Sequence, residues 1–448
     1  MSQVKSRFAP SPTGKLHVGN MRTAIITWLM TRSMGGSFLL RIDDTDLVRS
    51  KDEYTQSIKA DLTWLGMEWD ELAHQRGRLD RYTDVIEQLK QDGRLYPCYE
   101  TEEELALKRK SLLARGLPPI YDRAALDLSD EQKQKYEAEG RQPHWRFKLN
   151  HAPIEWDDLV RGAVSFQGKD MADPVLIRGD GSPLYHLCSV IDDIDFGITH
   201  VVRGEDHVSN TATHIQMFEA IGGNVPTFAH LPLLSDAEGV KLSKRLGSLS
   251  IEALREEEKL EPMALISLFS RLGSSDPVVA QSDLATVIES FDISRFGRGT
   301  PKFDVEELLR INTKLLHELS YASVKDRLAK DYGEEFWLTI RPNLEKLSDI
   351  ETYAQLIYGP VTPEVDAEDK DYIAQAAQNL PSTPWTEETW GTWTSTLKDL
   401  TGRKGKQLFM PLRKALTGQA HGPEMASLIP LIGREEALRR LEGTKKAA

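Results

Sequence analysis

"RFAPSPTGKLHVGNMRTAIITWLM", residues 7–30, sets prolines, glycines and one histidine ahead of a long apolar-periodic segment. The short alternating run from Val4 to Phe8 reads as a strand. Pro10, Pro12 and Gly14 then forbid both a helix and a longer strand. From His17 onward Val18, Met21, Ile25, Trp28 and Leu29 recur at helical spacing, and Gly35-Gly36 supplies the stop. "SFLLRI", 37–42, follows as a buried strand. Residues 4–42 therefore read as one strand-turn-helix-strand unit, with His17 in the first turn of its helix. The first N–H groups of a helix lack internal partners and attract phosphate, and an imidazole there adds a donor. The plainer alternative is a histidine that caps its helix or packs on the surface.

Composition bounds the rest. The 448 residues suffice for two to four domains, and 40% hydrophobic with 28% charged residues is a soluble globular balance. No apolar run of membrane-spanning length occurs and the N-terminus lacks a signal-peptide core, so neither membrane nor export is expected. The only cysteines, Cys98 and Cys188, fit a reducing compartment, and the cytoplasm is the expected location. A net charge of −13 argues against nucleic acid as a global sum. Local patches qualify it: "KRKSLLAR" (108–115), "SRFGRGTPK" (294–302) and "RKGKQLFMPLRK" (403–414) carry basic residues and no acidic one. Each is equally compatible with a solvated surface; together they allow an extended polyanion.

Strand and helix signals alternate through the first 235 residues, with helical periodicity over 52–65 and 79–93. A second strand-and-helix block runs through 183–235, so 96–182 reads as an insertion between two halves of one open α/β sheet. Beyond residue 250 helix follows helix, and the acidic, proline-marked "GPVTPEVDAEDKD" (359–371) reads as a link between two helical pieces. Trp385, Trp390 and Trp393 recur at near-helical spacing and read as core. A second constellation, "KLSKR" (241–245), follows the apolar strand "HLPLLS". Its two lysines can face one anion, where fixed cations stabilise charge developing on a transferring phosphoryl group. Alone it is as compatible with an ordinary charged loop.

Jointly, H-V-G-N opening the first helix and K-L-S-K-R after a late strand resemble the HIGH and KMSKS signatures of class I aminoacyl-tRNA synthetases. "RFAPSPTGKLHVGN", "LLRIDDTD", "RYTDVIEQLKQDGRLYPCYET", "YHLCSVIDDIDFGITHVVRGEDHVSNTATHIQMFEAIG", "HLPLLSDAEGVKLSKR" and "GKQLFMPLRKALTGQAHGPEM" resemble the bacterial-type glutamyl-tRNA synthetase family, in order, from residue 6 to about 440. The resemblance implies a split Rossmann-like catalytic domain (1–95 and 184–235), an α+β acceptor-binding insertion (96–183), a stem-contact region with the lysine loop (236–310), and an all-α anticodon-binding region (311–448) in two parts. It implies activation of L-glutamate with ATP and magnesium, then transfer to tRNA(Glu), with tRNA(Gln) open as a second substrate. A monomer is the default expectation for its oligomeric state.

By the same resemblance His17, Gly19 and Asn20 hold ATP with Lys241, Ser243 and Lys244, and His17, Lys241 and Lys244 are catalytic. Arg7, Ser11, Asp43, Tyr185, Ser189 and Arg203 form the glutamate pocket, Arg203 taking the side-chain carboxylate and Asp43 the α-ammonium. Three positions depart from the family pattern. Asn20 stands for the signature's last histidine, Asp43 for a glutamate of many relatives, and Ser189 for a pocket asparagine of some. The insertion keeps one cysteine of a zinc set found in some relatives, and one thiolate cannot build a tetrahedral site, so no metal site in the protein and no zinc are expected. Two rivals share parts of this pattern. A small-molecule adenylyltransferase would use the histidine and lysines without RNA, and leaves the helical tail idle. A tRNA-binding protein that had lost catalysis would not keep His17, Lys241 and Lys244.

Overall fold

The alternating run ahead of Pro10 forms β1 (Lys5–Phe8), and the periodic segment behind it forms α1 (Val18–Ser33). Gly35, at φ +64°, turns the chain into β2 (Ser37–Ile42), which lies parallel to β1 with Arg7 opposite Leu39. The computed structural model describes residues 3–236 and 250–443. It divides into two units, Met1–Arg255 with Leu265–Asp304, and Glu256–Ala264 with Val305–Ala448.

In the first unit the chain continues through α2 (Asp52–Trp64), β3 (Glu71–His74), α3 (Leu79–Gln91), β4 (Leu95–Cys98), α4 (Glu102–Ala114) and α5 (Asp130–Ala138). It then passes through β5 (His144–Phe147), β6 (Pro153–Asp158), β7 (Gly162–Gln167), β8 (Val175–Ile177), α6 (Tyr185–Asp195), β9 (His200–Gly204), α7 (Val208–Ile221) and β10 (Thr227–Leu231). Among the described residues, seven strands form one sheet in the order β3-β2-β1-β9-β10-β6-β7, parallel except for the β6–β7 hairpin. The order reverses between β1 and β9. In open α/β sheets the crevice at such a switch point, beyond the carboxyl ends of the strands, is where ligands bind.

One boundary differs from the sequence expectation. β6 pairs with β10 through Asp158 and Phe228, so 153–167 extends the main sheet although it lies within the stretch read as an insertion. The separate antiparallel sheet β4-β5-β8, with α4 and α5, makes up the rest of that stretch. The reason is local: Ile154 and Phe166 alternate with polar neighbours and pack onto the same core as Phe228 and Phe218.

Beyond residue 250 the described residues form helices and isolated bridges and no strand. In the second unit Leu316, Trp337, Ile357, Tyr372, Trp393 and Leu412 belong to one buried cluster. The helical pieces expected on either side of 359–371 therefore share a core. The link itself is pinned by ion pairs, Lys414 to Glu364 at 2.9 Å and Arg403 to Asp369. Trp393 is buried, with Trp385 and Trp390 packed against the same cluster, as core residues should be.

Gly36 fixes the start of β2. A Cβ there would lie 2.5 Å from the Val4 carbonyl oxygen and 2.9 Å from the Val4 Cβ, while the Ser37 N–H donates to that same oxygen at 2.9 Å. Backbone cannot swing away cheaply. Gly36→Ala is expected to lower stability by about 1–3 kcal/mol, read as a lower midpoint in urea. An unchanged midpoint would show that the β1–β2 register tolerates the extra carbon.

Candidate functional site

His17 is the N-cap of α1, its backbone extended at φ −105° and ψ 166°. Its Nδ1 accepts from the backbone N–H groups of Gly19 at 3.1 Å and Asn20 at 3.3 Å. The imidazole folds back closely: a Cβ at residue 19 would meet its Cε1 and Nδ1 at 3.0 Å, so glycine leaves the room it needs. The capping alternative is thus what the geometry shows, and it has a chemical consequence. A ring nitrogen that accepts two N–H groups carries no proton, so the proton is on Nε2, and His17 is exposed. The end of α1 presents an imidazole N–H where bare backbone would otherwise stand.

A cleft of about 740 Å³ has Ser11, Asp43 and Tyr185 in its wall. Arg7, Ser189 and Arg203 are all buried. Arg7 is carried near the end of β1 and Arg203 near the end of β9, the two strands that meet at the switch point. Lys241, Ser243 and Lys244 lie outside the described residues.

The buried charges fall into two groups. Around Arg41, wholly buried in β2, the charges are paired. Its Nε and Nη2 donate to the two carboxylate oxygens of Asp43 at 2.7 and 3.1 Å, and its Nη1 to Asp193 at 2.8 Å. The Ser189 hydroxyl accepts from Nη2 at 3.1 Å. Arg7 donates to the same Asp193 oxygen at 3.0 Å. Asp192, on the same helix, is held by Gln75, Arg78 and Tyr82. Burial raises the Asp43 carboxyl to about 6, with Arg41 opposing it.

Arg203 is different. Among the described residues its hydrogen-bond partners are neutral: Nε to His230 Nε2 at 3.2 Å, Nη1 to His214 Nδ1 at 3.3 Å, and Nη2 to the Thr211 hydroxyl at 2.5 Å. No carboxylate among them pairs with it. Three of its five N–H donors go to these groups, and the Tyr185 side chain hydrogen-bonds with it as well. The terminal nitrogens of a guanidinium suit a carboxylate bidentately. A buried guanidinium without a counter-ion is costly unless an anion arrives.

The comparisons with known proteins show the family. The family model "tRNA synthetases class I (E and Q), catalytic domain" matches residues 3–310, and "Anticodon binding domain" matches 311–445. A glutamate–tRNA ligase of Maricaulis maris is 56% identical over 442 residues, covering 98% of this chain and 99% of the relative. The chain belongs to the glutamate–tRNA ligase family. A family member from Azospirillum brasilense is 54% identical over 440 residues, 97% of this chain and 98% of that one. A crystal structure of an Elizabethkingia meningosepticum member in complex with its amino acid superposes with a TM-score of 0.85 at 28% identity, covering 98% of this chain and 99% of that one. The helical tail that a small-molecule adenylyltransferase leaves idle is the part matched by the anticodon-binding model.

Sequence reasoning missed Arg41, Asp193, His214, His230 and Asp158. One signal was available: a lone charge inside an otherwise apolar strand, as in "SFLLRI", "HVVRG" and "TFAHL", has to be paired or to serve a ligand. In the insertion, Cys98 is buried beside Tyr96 and Ala125, and burial pushes its thiol up to about 12. Among the described residues no group of three or more His, Cys, Asp or Glu is placed to hold a metal ion.

Burial lowers the imidazoles around Arg203, and the guanidinium adds to it: His186 to about 4, with His207, His214 and His230 also below 6.5. The folded state therefore holds them neutral while the unfolded chain takes up protons below pH 6.5, so folding weakens as pH falls from there. Asp43 acts oppositely between pH 6 and 3.8, binding its proton first in the folded state. Four imidazoles outweigh one carboxyl. The thermal midpoint is expected to be lower at pH 5.5 than at pH 7.5, and an equal or higher value at pH 5.5 would contradict the neutral cluster.

Proposed function

We propose that Arg203 takes the side-chain carboxylate of glutamate, and that this pairing restricts the reaction to glutamate. The chain is a glutamate–tRNA ligase, which activates glutamate with ATP and transfers the acyl group to tRNA(Glu). The observation that carries the assignment is the buried guanidinium with neutral partners at the end of a central strand. A glutamine amide would turn an NH₂ toward guanidinium donors and offer them no acceptor there.

The remaining roles follow from charge and place. Asp43, on the cleft wall, receives the α-ammonium, and its pairing with Arg41 fixes where that carboxylate stands. Arg41 also reaches the Ser189 hydroxyl, so a shorter acid and a shorter pocket residue are both held by one guanidinium. Arg7 serves the α-carboxylate end, and Ser11 and Tyr185 close the wall. In the adenylation step a glutamate carboxylate oxygen attacks the α-phosphorus and pyrophosphate leaves. The His17 Nε2–H donates to a phosphate oxygen, with Gly19 and Asn20 held behind it, while Lys241, Ser243 and Lys244 meet the developing charge. Magnesium accompanies ATP and is held by phosphate oxygens and water. The stretch 96–183 grips the acceptor end, 236–310 carries the lysine loop and the stem contact, and 311–448 reads the anticodon. The protein acts as a monomer and needs no zinc. Charging assays with tRNA(Glu) and tRNA(Gln) transcripts decide whether the second is also a substrate.

Two substitutions test the assignments. Arg203→Ala removes a charge-assisted fork worth about 3 kcal/mol or more, so KM for glutamate should rise roughly 100-fold with KM for ATP little changed. Wild-type activation of glutamine as readily as glutamate would overturn the charge argument. His17→Asn keeps a good N-cap but removes the outward N–H. Adenylate formation should fall about 100-fold at unchanged thermal stability. If activity survived while stability fell, His17 would be a cap and nothing more.

A further inference from the structure

We propose that His214 and His230 are positioning residues for Arg203, which hold its guanidinium by their ring lone pairs so that its terminal nitrogens meet the ligand carboxylate. The proposal rests on the assignment of Arg203 to the glutamate side chain.

A guanidinium donates only, so any ring nitrogen facing it is a lone pair. His230 Nε2 faces Arg203 Nε at 3.2 Å, which puts the His230 proton on Nδ1, where it is donated to Asp158 Oδ2 at 2.5 Å. His214 Nδ1 faces Arg203 Nη1 at 3.3 Å, which puts its proton on Nε2, donated to His186 Nδ1 at 2.9 Å. The His186 proton is then on Nε2. The tautomers of His214, His230 and His186 are all dictated by the arginine. The Thr211 hydroxyl completes the frame, accepting from Nη2 and lying 2.7 Å from His230 Nε2.

The supports are well placed to be rigid. His230 and His214 are buried, and Asp158 Oδ1 accepts from the backbone N–H groups of Val160 and Arg161. The hairpin that extends the main sheet thus supplies the carboxylate that orients His230. A carboxylate placed directly on Arg203 would fill the fork that the substrate must use. An interposed imidazole passes on the orientation of Asp158 without supplying a competing anion, as carboxylate–histidine pairs do for other bound cations.

The experiment compares His214→Leu, His214→Asn and Arg203→Ala by steady-state kinetics of the full-length enzyme with tRNA. His214→Leu should raise KM for glutamate at least tenfold, with KM for ATP within threefold of wild type. Asn can place Oδ1 near the lost Nδ1, so His214→Asn should return KM for glutamate to within threefold of wild type. An unchanged KM in the leucine variant, or an asparagine variant as impaired as the leucine one, overturns the proposal. If Arg203→Ala itself leaves KM for glutamate unchanged, the assignment of Arg203 is what fails. Should the leucine variant not fold, ¹⁵N-histidine spectra of the wild type at pH 7.5 decide. They should show Nε2–H tautomers at His214 and His186 and Nδ1–H at His230, and an Nδ1–H or doubly protonated His214 overturns the proposal.

Discussion

A guanidinium in the interior of a protein keeps its charge, and that constraint organises the catalytic unit. Three arginines, Arg7, Arg41 and Arg203, are buried where β1, β2 and β9 end. Arg41 and Arg7 are neutralised by carboxylates supplied from α6 and the turn after β2. Among the described residues Arg203 hydrogen-bonds only to neutral groups. The contrast leaves a cation without a directly bonded carboxylate at the switch point of the sheet, whatever the chain's total charge. A protein of net charge −13 can therefore bind an acidic amino acid and a polyanion: recognition responds to the charge within a few ångströms, and more distant charges are screened.

The paired group is as necessary as the unpaired one. Removing Asp193 would leave Arg7 without its carboxylate and free to compete with Arg203 for the incoming ones, and removing Arg41 would leave Asp43, Asp192 and Asp193 crowded without their common partner. Burial already raises the Asp43 carboxyl to about 6, so without Arg41 it would hold a proton near neutrality and attract an ammonium poorly. The shorter side chain at position 43 is tolerable because its carboxylate is gripped at both oxygens. Fixed position compensates for reach.

Much of this was legible in the sequence, and what was not has a physical reason. The first unit of strand, turn and helix emerged from Pro10, Pro12, Gly14 and the apolar spacing behind His17, because these act within a few residues of themselves. The family strings singled out Arg7, Asp43 and Arg203, which the structure buries near one another's strands. The support of Arg203 was not legible, since His214 and His230, and Asp158 behind His230, come from α7, β10 and β6, brought together only by sheet order. The hairpin 153–167 was assigned to the insertion because its membership of the main sheet depends on one pairing with β10, which no local periodicity announces. The basic patch 403–414 shows the same limit. Arg403 and Lys414 turn out to pin 359–371, and Arg413 donates to the Pro423 carbonyl, so most of a run that looked available to RNA is spent inside its own unit.

His17 shows how the plain and the functional alternatives can both hold. As a cap it takes the N–H groups that a bare helix start would offer to phosphate, and this looks at first like a loss of the anion site. It is a transfer instead. The lone pair on Nδ1 satisfies the helix, which forces the proton to Nε2, and the positive end of α1 polarises the ring through the bonds at Nδ1. In the proposed role, the donor offered to a phosphate is an imidazole N–H that stands farther out than the backbone could. Gly19 is the condition for it, since any Cβ there would press on the ring at 3.0 Å. A histidine two residues ahead of a glycine at a helix start is thus a device for extending the reach of the helix end, and the cap is the means by which it works.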